Sequence, residues 1–201
     1  MILRKIQTFT PTAILLIVSI AVSGCATSAR SIDSGEELSK AGMTSQEALV
    51  FGKFALQRNG ENVKLSNTLF GNPATLHLVS NETDERIIGT LGQDGEFAWA
   101  LTPGDYTVAS VSFMNRGEKF KPDADYRFTV AAGGEPVYIG TITLESTFES
   151  GYFGLNGTVD SYRIDNHCEA DCADRLTRLG LSSSELTVAL MTPQDSLTDA
   201  R

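Results

Sequence analysis

Cysteines and histidines are the side chains of this 201-residue chain best suited to covalent, redox or metal chemistry. Cys168 and Cys172 are four residues apart, which places them as neighbours on one face of a helix with Cα atoms ~6 Å apart. One disulfide is the expected outcome in an oxidising compartment. The alternatives are reduced core thiols, or a metal or redox site that adds His167 and Asp171. A metal site would lack a fourth ligand at a recognised spacing, so we predict no metal.

Cys25 follows a segment that is typical of a signal peptide. The basic residues Arg4 and Lys5 precede an apolar run over residues 13–22. That run has about half of the ~20 residues needed to cross a bilayer. The pattern therefore predicts a signal peptide over residues 1–24, and no lasting transmembrane helix.

The residues 22–25, Val-Ser-Gly-Cys, resemble the lipobox of bacterial lipoproteins. In that family small residues precede a cysteine that is acylated and becomes the new N-terminus after cleavage. The resemblance implies lipidation of Cys25 with fatty acyl chains such as palmitate, and hence attachment to the membrane. Ala26 is similar to the following residue of lipoproteins sorted to the outer membrane of enteric-type bacteria. The implied location is the bacterial cell envelope, at the outer membrane and facing the periplasm.

Composition and charge narrow the class of partner. The chain is 41% hydrophobic and 20% charged, which is typical of one globular domain. Its net charge is −9, and an acidic surface repels phosphate backbones and anionic headgroups. We therefore expect no nucleic-acid partner, and membrane contact through a lipid anchor instead of through charge.

The sequence offers little support for catalysis. His77 alternates with Leu76 and Leu78, so we expect it to face outward from a strand. This leaves His167 as the other candidate general acid or base. The chain contains no Gly-x-Ser-x-Gly elbow, no His-Glu-x-x-His and no phosphate-binding glycine loop. We predict no catalytic residues and no cofactor.

Three aromatic residues around a glycine-flanked turn are candidates for partner contact. They are Phe148, Tyr152 and Phe153. A turn of this kind would hold the rings at a loop tip, and the alternative is that they belong to the core. Trp99 shares its strand phase with Phe97 and Leu101, which favours a core position over stacking on a sugar.

The candidate residues must be positioned by a mainly β domain. Residues 25–47 are rich in Ser, Thr, Gly and charge, which predicts an acylated N-terminus followed by a flexible tether. From residue 48 onward, short β-branched and aromatic runs alternate with Asn-Gly, Asp-Gly, Pro-Gly and Gly-Gly turns, as in a β-sandwich. The candidate strands cover residues 49–57, 63–66, 74–79, 86–91, 96–101, 106–113, 126–131, 136–144, 152–155 and 158–164.

One helix is predicted near residues 167–179. Asn166 and Glu169 form an N-capping pair, and Gly180 suits a left-handed C-terminal cap. One face carries a stripe that would lie over the sandwich. The stripe consists of Cys168, Cys172, Leu176 and Leu179. Residues 185–191 are a candidate last strand, and 192–201 are predicted to be a disordered tail.

Residues 89–108 resemble the carboxypeptidase-regulatory-like and other transthyretin-like sandwich domains. They contain an Asp-Gly turn at 94–95, a strand, a Pro-Gly turn at 103–104 and then Tyr106, which opens the next strand. Residues 128–144 are also similar to uncharacterised small bacterial lipoproteins. These domains generally lack catalytic residues and serve as spacers or contact modules.

The predicted fold is a single antiparallel β-sandwich over residues 48–191, transthyretin/prealbumin-like or Ig-like, with one C-terminal helix. The predicted function is a non-catalytic binding or structural module of the envelope, whose partner is a protein or a glycan. The alternative is a small envelope enzyme or metal-dependent hydrolase that uses His167 and neighbouring residues. A polar pocket that gathers His167, Cys168 and carboxylates would favour the enzyme, and a sealed helix face would favour the module.

Overall fold

The computed structural model describes residues 27–32, 46–63, 65, 74–92, 94–115, 118–151, 154–182 and 186–194. In these residues the chain forms two β-sheets. Sheet 1 contains, in spatial order, β1 (Thr27–Ser28), β6 (Arg86–Thr90), β5 (Thr75–Ser80), β8 (Gly104–Asn115), β10 (Asp123–Val130) and β14 (Thr192–Pro193), with β9 (Glu118–Phe120) paired to β8. Sheet 2 contains β12 (Gly154–Asp165), β11 (Val137–Gly151), β3 (Ala48–Arg58), β7 (Glu96–Leu101) and β2 (Arg30–Ser31), with β4 (Glu61–Val63) paired to β3 and β13 (Thr187–Val188) paired to β11.

The two sheets enclose the larger hydrophobic core, so the predicted β-sandwich is confirmed. Strand alternation supplies that core, because Phe97, Trp99 and Leu101 all point between the sheets. The Trp99 ring is fully buried and stacks on Phe97 with 4.2 Å between ring centroids. Its indole N–H donates a hydrogen bond to the Thr90 carbonyl at 3.3 Å. The core interpretation of Trp99 is therefore correct.

The helix α1 (Cys168–Arg178) covers the outer face of sheet 2. A second hydrophobic cluster joins the two, and its helix side is the predicted stripe residues Cys172, Leu176 and Leu179. Ala98 and Ala100 lie under the helix, so β7 is buried on both faces beyond Glu96. In the part of the chain that the structure describes, no helix is long and apolar enough to span a membrane.

The ends of α1 agree with the sequence in part. Gly180 has φ +70°, and the Leu181 N–H donates to the Leu176 carbonyl at 2.8 Å, which closes the predicted left-handed cap. At the start, His167 occupies the N-cap position in place of the predicted Asn166. The Asn166 side-chain oxygen instead accepts a hydrogen bond from the Cys168 N–H at 3.1 Å.

Both sheets are mixed, whereas the sequence predicted antiparallel pairing throughout. β11 runs parallel to β3, because the chain passes through sheet 1 and returns to sheet 2 beside its first long strand. β8 contains a β-bulge where it pairs with β5. His77 pairs with Ser110 and Leu78 with Val108, which leaves Ala109 as the extra residue of β8.

The predicted tether 25–47 is wrong for its first part. Residues 27–32 add β1 to sheet 1 and β2 to sheet 2, and Ile32 is only 2% exposed. Two-residue strands of polar side chains have no periodicity of their own, so the sheet edges decide their conformation. The predicted disordered tail also begins too early, since Thr192 pairs with Arg127 in β14. Residues 33–45 and 195–201 lie outside the described residues.

Candidate functional site

The hairpin of β11 and β12 extends beyond the body of the sandwich. β11 pairs with β3 as far as Ser146, which lies opposite Arg58. Its pairing with β12 continues to Gly151 opposite Gly154. Residues 147–151 and 154–158 are therefore a two-stranded ribbon, which pairs with no other strand that the structure describes. We call this segment the β11–β12 ribbon.

The ribbon contains or adjoins the three candidate contact residues. Phe148 lies in β11, opposite Gly157 of β12. Tyr152 and Phe153 fall between Gly151 and Gly154 in the sequence and lie outside the described residues. The assignment of these aromatics to partner contact stays a prediction.

Charged side chains concentrate at the base of the ribbon. The Arg163 guanidinium contacts Glu145 at 2.7 Å and Asp165 at 2.8 Å, and its hydrogen bond to Asp165 is the main cause of its raised pKa. A bulge at Asp160 interrupts the pairing of β11 with β12 at the same level. Charges and bulges disfavour strand addition at a sheet edge. Beyond this base the ribbon carries one charged residue, Glu149 of β11, and residues 154–158 of β12 carry none. The β12 strand is therefore the part of the ribbon best suited to strand addition.

A second surface feature forms where the described chain begins. Thr27 pairs with Ile87, and its hydroxyl donates a hydrogen bond to the Glu85 carboxylate at 2.7 Å. The adjacent turn, residues 81–85, is exposed throughout. We call Thr27, Ser28 and the turn 81–85 the N-terminal corner.

Strand directions place the ribbon and the N-terminal corner at opposite ends of the sandwich. β5 and β6 are antiparallel and are joined by the turn 81–85, at the end where β8 begins. β10 ends there as well, with Val130 opposite Gly104, and β11 follows it. β11 therefore starts near the N-terminal corner and runs away from it for 15 residues before reaching the ribbon tip.

Cys168 and Cys172 are joined by a disulfide in the first turns of α1, with 4.6 Å between their Cα atoms. This supports the predicted bridge over the reduced thiols and over the metal or redox site. Cys172 is buried against sheet 2, so the bridge lies between the helix and the sheet.

The other candidate ligands are dispersed. His167 is exposed, and its Nε2 lies 3.8 Å from an Asp165 carboxylate oxygen. His77 is half-buried on the face of β5 opposite Leu76 and Leu78, and burial together with Lys121 and Lys119 lowers its pKa. Among the residues that the structure describes, no three His, Cys, Asp or Glu side chains are close enough to hold a metal ion.

A groove of about 520 Å³ lies beside α1, between the helix and the start of β7. Arg175 donates to the Gly52 carbonyl at 2.9 Å, and Arg178 contacts Glu96 at 3.1 Å. Arg175 also lies 3.7 Å from the same Glu96 carboxylate. Since both guanidinium groups already meet a carboxylate, these contacts explain how the helix is held on sheet 2 better than they explain recognition of an anion.

Tyr162 and Tyr126 meet edge to face where β12 of sheet 2 approaches β10 of sheet 1. Tyr126 donates its hydroxyl proton to the Tyr162 carbonyl at 3.2 Å. The Tyr162 hydroxyl is buried and has no hydrogen-bond partner among the described residues. Burial, and then the charges of Asp123 and Asp125, raise its pKa well above the ordinary tyrosine range. Such a phenol stays protonated and packs as an aromatic side chain.

The chain was compared with protein families, curated proteins and solved structures. No family model matches the chain, and no curated protein is similar to it. Similar solved structures include a DUF3823 family protein from Bacteroides ovatus, at 16% identity over 55% of this chain and 54% of that chain, with a TM-score of 0.25. Another is a DUF3823 family protein from Parabacteroides merdae, at 17% identity over 60% of both chains, with a TM-score of 0.27. The chain thus spans little more than half the length of each of these two proteins.

The sequence did not reveal that residues 27–32, which include Thr27 and Ser28 of the N-terminal corner, pair with both sheets. Thr27 and Ser28 are common in linkers, and Ile32 is one apolar residue in a polar stretch. Ile32 was the single available signal, because an isolated apolar residue beside a folded domain can be drawn into its core. Its burial depends on Leu49, Leu176 and other residues distant in sequence, which local patterns cannot report.

Proposed function

We propose that this protein is a bacterial envelope lipoprotein that acts as a non-catalytic binding or structural module for a protein or glycan. Acyl chains on Cys25 hold it in the membrane, and the β11–β12 ribbon contacts the partner. One observation carries the proposal: the ribbon leaves the sandwich at the end opposite Thr27, and Thr27 follows Cys25 by two residues. Anchor and contact element are thus at opposite ends of one rigid domain.

The ribbon suits contact for physical reasons. Its outer residues include Phe148, next to Tyr152 and Phe153 in the sequence, and aromatic side chains are enriched in protein interfaces. Beyond Ser146 its outer edges pair with no other strand that the structure describes, so they can accept an added strand. A partner can therefore use backbone pairing, aromatic contact or both.

The finer assignments follow the sequence. The lipobox resemblance at residues 22–25, with Ala26 after the cysteine, supports placement at the outer membrane facing the periplasm. The turn and strand pattern of residues 89–108 supports a transthyretin-like sandwich. These are proposals that rest on the residues themselves.

The enzyme alternative has weaker support. It needs His167 to work with Cys168 and with carboxylates in a pocket. His167 is exposed, its contact is with Asp165, and Cys168 is bonded to Cys172. We therefore retain the binding module as the proposed function.

Replacement of the cysteine tests the anchor. The Cys25→Ser variant should fail to mature, should leave the detergent-soluble membrane fraction, and should no longer respond to globomycin, an inhibitor of the lipoprotein signal peptidase. Ser23→Ala is the matched control, because it keeps a small residue before the cysteine and should mature normally. Unchanged maturation, fractionation and globomycin response in Cys25→Ser would refute the anchor.

Photo-crosslinking in intact cells tests the contact element. A photoreactive amino acid at position 148 or 153 should capture a discrete envelope partner. The same amino acid at Val188, which is 47% exposed on β13, is the matched control on the body of the sandwich. Capture from Val188 with none from the ribbon positions would assign the contact to another surface.

A further inference from the structure

We propose that the N-terminal corner lies directly against a lipid surface with zwitterionic headgroups, with no spacer between the acylated cysteine and the folded domain. This rests on the proposed lipidation of Cys25. Under this proposal the domain has one fixed orientation on the membrane, whereas a domain on a flexible tether would adopt many.

Covalent geometry limits the distance from the anchor to the sandwich. Cys25 precedes Thr27 by two residues, and consecutive Cα atoms are about 3.8 Å apart, so their Cα atoms are at most about 7.5 Å apart in any conformation. Thr27 itself is fixed by its pairing with Ile87, and the Ala29 N–H donates to the Ile88 carbonyl at 2.8 Å. The acyl chains must therefore enter the bilayer beside the N-terminal corner.

The segment that follows holds this attachment in place. Arg30 and Ser31 pair with Ala100 and Trp99 of β7, and the Ile32 N–H donates to the Ala98 carbonyl at 2.9 Å. Ile32 is buried in the cluster between α1 and sheet 2. Releasing residues 27–32 would expose that side chain and break pairing with both sheets. Residues 33–45 come after this attachment, so they cannot lengthen the connection to the membrane.

The charge of the corner indicates which lipid surface it fits. The exposed turn beside Thr27 carries Glu82, Asp84 and Glu85, and Arg86 follows it. Carboxylates are attracted to the ammonium groups of phosphatidylethanolamine. An anionic surface opposes them by about 1 kcal/mol for each charge held close to it. A zwitterionic leaflet is therefore the surface that this corner matches.

Contact of the N-terminal corner with the lipid surface sets the distance of the ribbon tip from the headgroups. β11 has 15 residues, and a strand rises about 3.3 Å per residue, so the ribbon tip stands up to about 45 Å beyond the anchored end. A partner must present its contact surface at that distance from the lipid headgroups.

Site-specific quenching tests the seating. The acylated protein is incorporated into vesicles of phosphatidylethanolamine and phosphatidylcholine that contain a nitroxide-labelled headgroup lipid. One fluorophore is attached through Thr83→Cys in the corner and another, in a separate sample, through Asp94→Cys in the turn at the opposite end. With Cys25 acylated and Cys168 bonded to Cys172, the new thiol is the reactive one. The label at 83 should lose most of its fluorescence and the label at 94 should keep it.

Two insertions of equal length are the controls. A spacer of about 12 Gly/Ser residues, with a root-mean-square span of about 20 Å, is placed either between Ala26 and Thr27 or within residues 33–45. The first insertion should abolish the quenching at 83 while the protein stays on the vesicles. The second should leave the quenching unchanged.

The outcomes separate this proposal from the proposed anchor. A protein that does not float with the vesicles overturns the anchor, and the seating with it. A protein that floats but shows no quenching at 83, or loses it on insertion within 33–45, overturns the seating alone. Stronger quenching at 83 on phosphatidylglycerol vesicles would overturn the zwitterionic match.

Discussion

Truncation of Ile32 is the sharpest test of how the N-terminal segment is attached. Its side chain is 2% exposed and packs in the cluster that contains Leu49, Phe51 and Leu176. Ile32→Ala removes three carbon atoms at about 0.8 kcal/mol each, and the cavity left behind adds to this loss. We expect the free energy of unfolding to fall by about 3 kcal/mol.

The measurement is urea unfolding of residues 25–201, followed by fluorescence. The chain has one tryptophan, Trp99, which is fully buried and therefore reports on the sandwich core. Ser31→Ala is the matched control, since Ser31 is the exposed neighbour of Ile32 and should change stability by less than about 0.5 kcal/mol. A loss below about 1 kcal/mol for Ile32→Ala would refute the reasoning, because residues 27–32 would then not be bound to the domain as described.

Three further predictions concern the core and the helix. Gly89→Ala should destabilise the protein by about 1–3 kcal/mol in the same assay, because an added Cβ would lie 2.5 Å from Cε2 of Trp99; a neutral substitution would contradict the packing. Tyr162→Phe should leave stability at pH 7 unchanged or raise it by about 1 kcal/mol, since it removes a buried hydroxyl without a partner among the described residues. Burial raises the pKa of Tyr162 above its ordinary value of 10.0, so above about pH 10 the unfolded chain loses a proton that the folded protein keeps. The free energy of unfolding should therefore fall above about pH 10, and it should fall less steeply in Tyr162→Phe. Equal pH slopes for the two proteins in urea unfolding from pH 7 to pH 11 would refute this. Mass spectrometry of unreduced protein should find the Cys168 and Cys172 peptide lighter by two hydrogens, and alkylatable thiols would rule the disulfide out.

The sequence predicts the strands in which large apolar residues alternate with small or polar ones. Residues 96–101 were predicted with the bounds of β7, because Phe97 and Trp99 alternate with small residues and turn residues flank the run. The helix stripe was predicted for a similar reason, since Cys172 and Leu176 mark its buried face. Elements whose apolar residues recur with the period of a strand or a helix can therefore be predicted from the sequence.

The remaining elements have no periodic pattern of apolar residues. β1 and β2 are two residues each, and their conformation comes from the edges of β6 and β7. The second half of β11 was not predicted, because residues 145–151 are mostly polar and show no alternation of apolar with polar side chains. Both halves of the candidate site, the N-terminal corner and the β11–β12 ribbon, are therefore where local patterns carry least information.

The mass of the mature N-terminal peptide tests the central claim most directly. Trypsin cleaves after Arg30, so digestion of denatured protein from membranes should release residues 25–30. We predict that this peptide begins at Cys25 and carries a diacylglyceryl group on its sulfur. A peptide that still contains residues before Cys25, or a Cys25 without lipid, would contradict the anchor and the seating that depends on it.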